Sequence, residues 1–248
     1  MSRPVVALLP GNGFAPVRVE PARSALAAAG EPFDLVAVAY PPAGSFDALL
    51  DRLAEELAAA GPAVIHATGI GGLVALALRA RGQLLSTPLV LQGAVLWGLE
   101  RRRFPRLMRL PGMTGLLVRL LRLGWTRRRF AAKHFESEPA PEFLARFFDG
   151  YDDADEFSRW FRWLDADLLR RLERSFAGRP EALDGIELWW GRRDSVVGLE
   201  ELRITERALG RTFPVRCFDA WGHYPMIDAP AEWVREVTDG LEAAVAVR

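Results

Sequence analysis

The sequence contains one cysteine, Cys217, so a disulfide bond within the chain is excluded. The lack of paired cysteines fits a reducing compartment, and the surrounding residues "PVRCFDAW" predict that Cys217 lies in a buried strand. No stretch approaches the roughly 18 to 20 apolar residues of a membrane-spanning helix. The apolar run near the start of the chain is too short for a secretory signal. The sequence therefore predicts a soluble, cytoplasmic protein.

An excess of charge of either sign is also missing, because 32 basic residues balance 32 acidic ones. A chain without net charge has no overall preference for polyanions, so we expect no nucleic-acid partner. No spacing of His, Cys, Asp or Glu resembles a metal site, and "GNG" and "GIGG" lack the context of a phosphate-binding loop. We expect neither a metal nor a cofactor.

Hydrophobic periodicity indicates the fold class. The chain has 248 residues, half of them apolar, which is enough for one sizeable core. Short apolar runs alternate with longer Ala- and Leu-rich segments of helical spacing, as is typical of βα units. We predict an α/β fold, a mostly parallel sheet of about six strands with helices on both faces. The predicted strands are residues 5–9, 34–40, 63–67, 89–95, 186–190 and 214–220.

One long segment, residues 99–180, interrupts this alternation with helical stretches rich in Arg, Phe and Trp. We interpret it as a helical cap, or lid, inserted into a core made of residues 1–98 and 181–248. Residues 101–133 hold ten arginines, one lysine and no acid, with Leu, Met and Trp between them. The pattern favours a cap helix packed on the sheet with solvated arginines. The alternative is an amphipathic helix that contacts a membrane surface or an acyl chain.

The stretch "AVIHATGIGGLVALALRA", residues 63–80, predicts a buried strand that turns sharply into a helix. A nucleophile elbow at such a turn needs a small residue, any residue, the nucleophile, any residue and then Gly. Those five places are filled here by Ala67, Thr68, Gly69, Ile70 and Gly71. The presenting position, Gly69, therefore lacks an attacking atom. Thr68 is an alternative nucleophile, but that register puts the larger His66 and Ile70 where small residues are needed.

Two later motifs supply an acid and a base. Asp194 follows a predicted strand in "LWWGRRDSVV", and His223 follows the last one in "DAWGHYPMIDAP". The order of nucleophile position, acid and histidine is that of α/β-hydrolases, and on these three motifs the sequence resembles that superfamily over nearly its whole length. The resemblance implies that Asp194 orients His223 for acid–base chemistry. The alternatives are a helix cap for Asp194 and a packing role for His223.

The resemblance also implies an oxyanion site, although the sequence differs from the family pattern in two places. We expect the usual leading β-hairpin to be absent, and "LPGNGFAP" stands where many members carry His-Gly. By position, Gly11 matches the family's glycine and Asn12 the residue whose backbone N–H helps to hold an oxyanion. The second donor would be the Ile70 N–H.

Further aromatic and histidine residues have less specific interpretations. Phe14 and Trp97 follow predicted strands and are candidates for lining a substrate pocket, with loop shaping or core packing as the alternative. We interpret His66 as a core histidine and His134 as an ordinary cap residue.

Three functions follow from this pattern. The first is acid–base catalysis by His223 and Asp194 on a largely apolar carbonyl or ester small molecule, through water-mediated hydrolysis or lyase- or isomerase-type chemistry. The second is a ligand-binding protein without catalysis, similar to the N-myc downstream-regulated family. The third is a conventional esterase or thioesterase, if Gly69 is an engineered replacement of serine.

Overall fold

The computed structural model describes residues 3–11, 16–137, 139–149 and 154–246. Its six strands form one sheet in the order β2-β1-β3-β4-β5-β6, and every neighbouring pair is parallel. The predicted α/β class with a six-stranded, mostly parallel sheet is thus confirmed. The strands are β1 (Val5–Leu9), β2 (Asp34–Ala37), β3 (Val64–Thr68), β4 (Leu89–Gln92), β5 (Ile186–Gly191) and β6 (Val215–Phe218).

Helices connect the strands, and short 3-10 turns lie at Pro16–Val19, Trp97–Arg101 and Pro180–Leu183. The second helix begins where the Ser45 hydroxyl accepts the Ala48 N–H, and it ends at Gly61 with φ +55°. The helices are α1 (Glu20–Ala28), α2 (Phe46–Ala60), α3 (Gly71–Ala80), α4 (Arg103–Met108), α5 (Met113–Leu121), α6 (Gly124–Ala132), α7 (Pro141–Arg146), α8 (Ala154–Trp163), α9 (Ala166–Gly178), α10 (Glu200–Leu209), α11 (Pro225–Asp228) and α12 (Pro230–Ala246).

The core lies on both faces of the sheet because successive strand residues point to opposite sides. In β3, Ile65 and Ala67 pack into one apolar cluster with α2, α3 and α9. Val64 packs into a second cluster on the other face, with α1 and α12. This two-sided burial explains why the strands read as continuous apolar runs rather than alternating ones.

The chain between β4 and β5 contains no strand in its described residues. Helices α4 to α8, here called the helical segment, share an apolar cluster of their own that includes Leu117, Leu121, Phe147 and Phe161. Helix α9 instead contributes Leu168, Leu172 and Phe176 to the sheet's core. No helix of the described chain combines the length and apolar character needed to cross a bilayer.

Two buried-residue predictions have different outcomes. Cys217 does lie in a strand, but the prediction of burial is wrong because its side chain is exposed. The reason is that β6 is the last strand of the sheet and pairs only with β5.

His66 is a core residue, 1% exposed, with Nε2 2.8 Å from Gln92 Oε1. Burial lowers the pKa of His66 to about 4 despite this hydrogen bond, which favours the charged form.

Candidate active site

The candidate site lies at the carboxyl end of the sheet. Parallel strands end at the same edge, so residues far apart in sequence meet there. Strand order reverses between β1 and β3, and the loops that follow these two strands face each other at this point. The residues brought to this edge are Gly11, Gly69, Gly93, Asp194 and His223.

The turn between β3 and α3 leaves little room for side chains, in keeping with the small residues that a nucleophile elbow needs. A Cβ atom added to Gly71 would lie 2.5 Å from the Leu9 carbonyl oxygen, and one added to Gly72 would lie 2.7 Å from Ala94 Cβ. Both places therefore require glycine. Gly69 has φ +53°, and among the described residues a Cβ atom there would meet the Gly11 Cα atom alone within 4 Å, at 3.3 Å. The turn thus holds Gly69 in a left-handed conformation.

His223 and Asp194 form a hydrogen-bonded pair. The His223 Nδ1 atom donates to Asp194 Oδ2 at 2.9 Å. The other carboxylate oxygen, Oδ1, accepts the N–H groups of Val196 and Val197 at 2.8 and 2.7 Å. The side chain of Asp194 is 1% exposed and that of His223 is 12% exposed. Asp194 is therefore held on both oxygens, and the second ring nitrogen of His223, Nε2, is left for chemistry.

The electrostatics of the pair favour an ionised aspartate. Burial by itself raises the pKa of Asp194. The charge of the His223 imidazolium, the hydrogen bond from His223 and the two backbone hydrogen bonds outweigh burial, and the pKa is lowered overall. An ionised Asp194 accepts the Nδ1–H of His223 and so fixes the orientation of the ring, with Nε2 as the other ring nitrogen.

Gly93, directly after β4, is a site residue that the sequence prediction missed. Its φ is +49°, and an added Cβ atom would lie 2.9 Å from Asp194 Oδ2 and 3.4 Å from His223 Nδ1. Asp194 and His223 therefore pack against the backbone of Gly93, which has no side chain to separate them from it. A glycine inside a predicted strand was the available signal, because such a residue often marks a close backbone approach.

A cavity of about 480 Å³ lies between the sheet edge and the helical segment. Gly11, Gly69, Ile70 and His223 line it on the sheet side. The opposite wall is mostly apolar and comes largely from the helical segment, with Phe104, Leu117, Leu121, Phe130 and Phe161. Basic groups also reach this wall, among them Arg103 and Lys133. The cavity can accept a largely apolar molecule beside the imidazole.

His134 is a second imidazole in the cavity wall, with its ring centroid 5.9 Å from that of His223. Its Nδ1 atom donates to the Phe130 carbonyl oxygen at 3.0 Å. Burial is the main reason that the pKa of His134 is lowered to about 3, followed by the nearby charges of His223 and Arg18. His134 is therefore neutral near pH 7. Its place beside His223 depends on tertiary packing, and no local sequence signal marks it.

The family model of the α/β-hydrolases, described as "Alpha/beta hydrolase family", matches residues 5–237. This chain belongs to the α/β-hydrolase family. No curated protein sequence matches it.

Several solved structures are similar to this chain in fold. A haloalkane dehalogenase loop variant, DbeA-M1 from Bradyrhizobium elkanii, has a TM-score of 0.71 at 18% identity, covering 99% of this chain and 91% of that one. A putative aryl esterase from Burkholderia cenocepacia has a TM-score of 0.70 at 16% identity, covering 98% and 92%. A bacterial membrane phospholipase A, described as a virulence factor, has a TM-score of 0.67 at 21% identity, covering 98% and 79%.

The loop after β1 is the expected oxyanion region of this α/β-hydrolase. The Tyr40 hydroxyl donates to the Pro10 carbonyl oxygen at 2.6 Å, which fixes the start of the loop. Gly11 lies against the β3–α3 turn, since an added Cβ atom would be 3.7 Å from Gly69 Cα and 4.0 Å from Ile70 N. Asn12 and Phe14 lie outside the described residues.

Two other candidates lie away from the cavity lining. Trp97 is buried, and its indole Nε1 donates to Glu173 Oε1 at 2.6 Å, so the packing interpretation accounts for it. Thr68 is the last residue of β3, opposite Gln92 in β4. Neither side chain belongs to the described wall of the cavity. Within the described residues, no three His, Cys, Asp or Glu side chains are placed to hold a metal ion.

Proposed function

We propose that this α/β-hydrolase uses His223, oriented by Asp194, as an acid–base catalyst on a largely apolar small molecule with a carbonyl or ester group. Gly69 stands in the nucleophile's place. The observation that supports this most strongly is the 2.9 Å hydrogen bond from His223 Nδ1 to the buried Asp194 carboxylate, in a cavity that Gly69 also lines. A partly buried, oriented imidazole that lines a cavity is arranged for proton transfer.

The absent nucleophile determines the reaction class. In a serine hydrolase, loss of the nucleophile lowers turnover on the order of a millionfold, so an acyl-enzyme at Gly69 is not proposed. Instead, His223 Nε2 takes a proton from a water molecule as its oxygen adds to the substrate carbonyl, and then gives that proton to the leaving group. The Ile70 N–H receives the charge on the carbonyl oxygen, and the family resemblance assigns the second donor to Asn12, which lies outside the described residues. Abstraction of a substrate proton would give lyase or isomerase chemistry instead.

The helical segment supports the choice of substrate. We assign residues 99–180 the role of a cap, because the described part of this range supplies most of the apolar wall of the cavity. The esterase and dehalogenase activities named for the structural relatives make hydrolysis of a small molecule the favoured outcome. The proposed reaction needs no cofactor, since the proton transfers involve only His223, water and substrate.

Gly69 itself favours a second candidate, a ligand-binding protein that has lost catalysis. Such a protein would bind the same apolar molecules in the cavity without turning them over. The first candidate requires His223 for turnover of the substrate, whereas in the second candidate His223 has no catalytic role.

A set of two variants separates these candidates. The rates of hydrolysis of nitrophenyl esters and thioesters with short, medium and long acyl chains are measured for the wild type, His223→Gln and Gly69→Ser. Catalysis without a nucleophile predicts measurable turnover in the wild type and a decrease of about 10²- to 10⁴-fold in His223→Gln, with ligand binding kept. Equal rates for the wild type and His223→Gln would refute it.

The ester turnover of Gly69→Ser shows what occupies the space beside the β3–α3 turn. If water or substrate occupies that space, the serine variant loses the existing activity. A large gain in ester turnover identifies a disabled esterase, and no activity in any form identifies a binding protein. The serine is expected to cost about 1 kcal/mol of stability because φ is +53° and its Cβ atom comes within 3.3 Å of Gly11 Cα. Thermal melting checks that each variant is folded.

A further inference from the structure

The outer side of helices α4 to α6 exposes an unusual amount of apolar surface. Of the nine large hydrophobic side chains that are exposed in the described chain, seven lie in this stretch. Trp125 is the most exposed of them, at 64%. Scattered exposed hydrophobic residues are ordinary, but a cluster marks an interaction site. Phe104 also lines the cavity, so we call the other six residues the outer face: Leu107, Leu110, Leu116, Leu120, Leu123 and Trp125.

Helix α5 has apolar side chains on its buried side and on its exposed side. Leu117 and Leu121 point inward, where they join the apolar cluster of the helical segment and line the cavity. Leu116 and Leu120 are one helical turn apart on the exposed side, 47% and 38% exposed. The inner leucines account for the packing of α5 on the protein. The outer leucines require another explanation.

The helices that carry the outer face contain basic residues and no acidic ones, although Arg102, Arg109 and Arg127 form ion pairs with acids from other parts of the chain. Residues 101–133 carry ten arginines and one lysine without a single acid, although the chain as a whole has no net charge. Arg119, Arg122, Arg128 and Arg129 are exposed beside the leucines and Trp125. Leucine and tryptophan flanked by arginine is the composition of a surface that lies in the interface of an anionic bilayer.

We propose that the outer face binds peripherally to the surface of a membrane that contains anionic lipid. The exposed apolar side chains enter the boundary between headgroups and acyl chains, and the arginines contact lipid phosphates. The inner side of the same α5 helix lines the cavity, so binding places the cavity about one helix diameter, roughly 10 Å, from the lipid. This inference stands independently of the proposed catalysis, since it concerns binding alone.

Flotation with vesicles tests the proposal without any substrate. Vesicles of phosphatidylcholine alone are compared with vesicles that also contain phosphatidylglycerol, at low and high salt. The protein is expected to float with the anionic vesicles and to dissociate as salt screens the arginines. Neutralising two arginines in Arg119→Gln/Arg122→Gln is expected to weaken binding about 25-fold, at about 1 kcal/mol for each charge. Leu116→Ser/Leu123→Ser is expected to weaken it on the order of tenfold or more.

Matched control variants come from elsewhere on the surface. Leu85→Ser/Leu199→Ser removes the other two exposed large hydrophobic side chains, each 37% exposed. Arg171→Gln/Arg174→Gln repeats the spacing of the arginine pair on α9, where both residues are exposed. Both controls should bind vesicles like the wild type. Equal losses in controls and face variants, or no flotation with anionic vesicles, would overturn the proposal. A dimer in sedimentation that Leu116→Ser/Leu123→Ser abolishes, without vesicle binding, would assign the face to self-association and overturn it too.

Discussion

The carboxyl end of the sheet and the helical segment differ in what their glycines do. At the sheet end, a Cβ atom on Gly71 or Gly93 would come within 3.0 Å of a neighbouring atom. In the described part of the helical segment, an added Cβ atom would meet nothing within 4 Å at Gly112, Gly115 and Gly124. The candidate site depends on the close approach of other backbone and side-chain atoms to its glycines, whereas these three glycines have no described atom so close. Small changes should therefore affect function at the sheet end far more than in the helices.

The largest expected effect comes from Asp194→Asn at the sheet end. The amide can no longer hold the proton of His223 on Nδ1, so the rate of the proposed reaction should fall by about 10³- to 10⁴-fold. The assay is kcat on the best ester substrate, with KM measured alongside. Asp165→Asn is the matched control, because Asp165 caps α9 by accepting the Leu168 N–H and lies outside the described cavity wall. A similar change in kcat for both variants would contradict the assigned role.

Gly93→Ala and Gly112→Ala compare the two regions directly. Both glycines have positive φ, +49° and +78°, so each alanine should cost about 1 kcal/mol through backbone strain. Only at Gly93 does the methyl group also collide with the Asp194 carboxylate, 2.9 Å away. We expect Gly93→Ala to lose a further 1–3 kcal/mol of stability, with about 100-fold in kcat.

Gly112→Ala should keep the activity of the wild type. Thermal melting and steady-state kinetics on both variants provide the comparison. If Gly93→Ala melts at a lower temperature but retains full kcat, its position beside the pair has no functional meaning.

A smaller effect is expected from pH, through one histidine in the sheet and one in the helical segment. Burial lowers the pKa of His66 to about 4 and that of His134 to about 3, whereas an unfolded histidine titrates near 6.5. Between these values the unfolded chain binds protons that the folded chain does not. The stability contribution present above pH 6.5 is therefore lost as the pH falls, by at most about 1.4 kcal/mol per pH unit for each histidine.

Urea unfolding between about pH 7 and pH 5 measures this slope in the wild type, His66→Leu and His134→Leu. Each variant should show a shallower loss of stability toward acid than the wild type, whatever its stability at pH 7. An unchanged slope in His66→Leu would show that this ring is protonated in the folded chain.

Sequence periodicity predicted the strands and their order along the chain because burial on both faces requires long apolar runs. The predicted strand at residues 89–95 is too long, since β4 ends at Gln92 and Gly93 turns with φ +49° toward the site. Burial of Cys217 was predicted wrongly because an edge strand resembles a central one in sequence.

Only part of the candidate site could be read from local motifs. Asp194, His223 and the turn at Gly69 each follow a strand, so their convergence follows from the parallel sheet. The place of His134 depends on how the helical segment packs over the sheet, and the role of Gly93 depends on side chains that follow β5 and β6. Contacts of this kind bring together residues with no shared sequence pattern.

Strands β4 and β5 are parallel neighbours, with Leu89 opposite Ile186, so the chain leaves the sheet at its carboxyl edge after Gln92 and returns in the adjacent strand at the amino edge. The cost of closing a loop rises only slowly with its length, so helices of other lengths could be grafted between these two anchor points without re-threading the strands. His223 and Asp194 would stay in place while the apolar wall of the cavity was exchanged as one contiguous stretch. The shape of the cavity could therefore change through recombination at these two points.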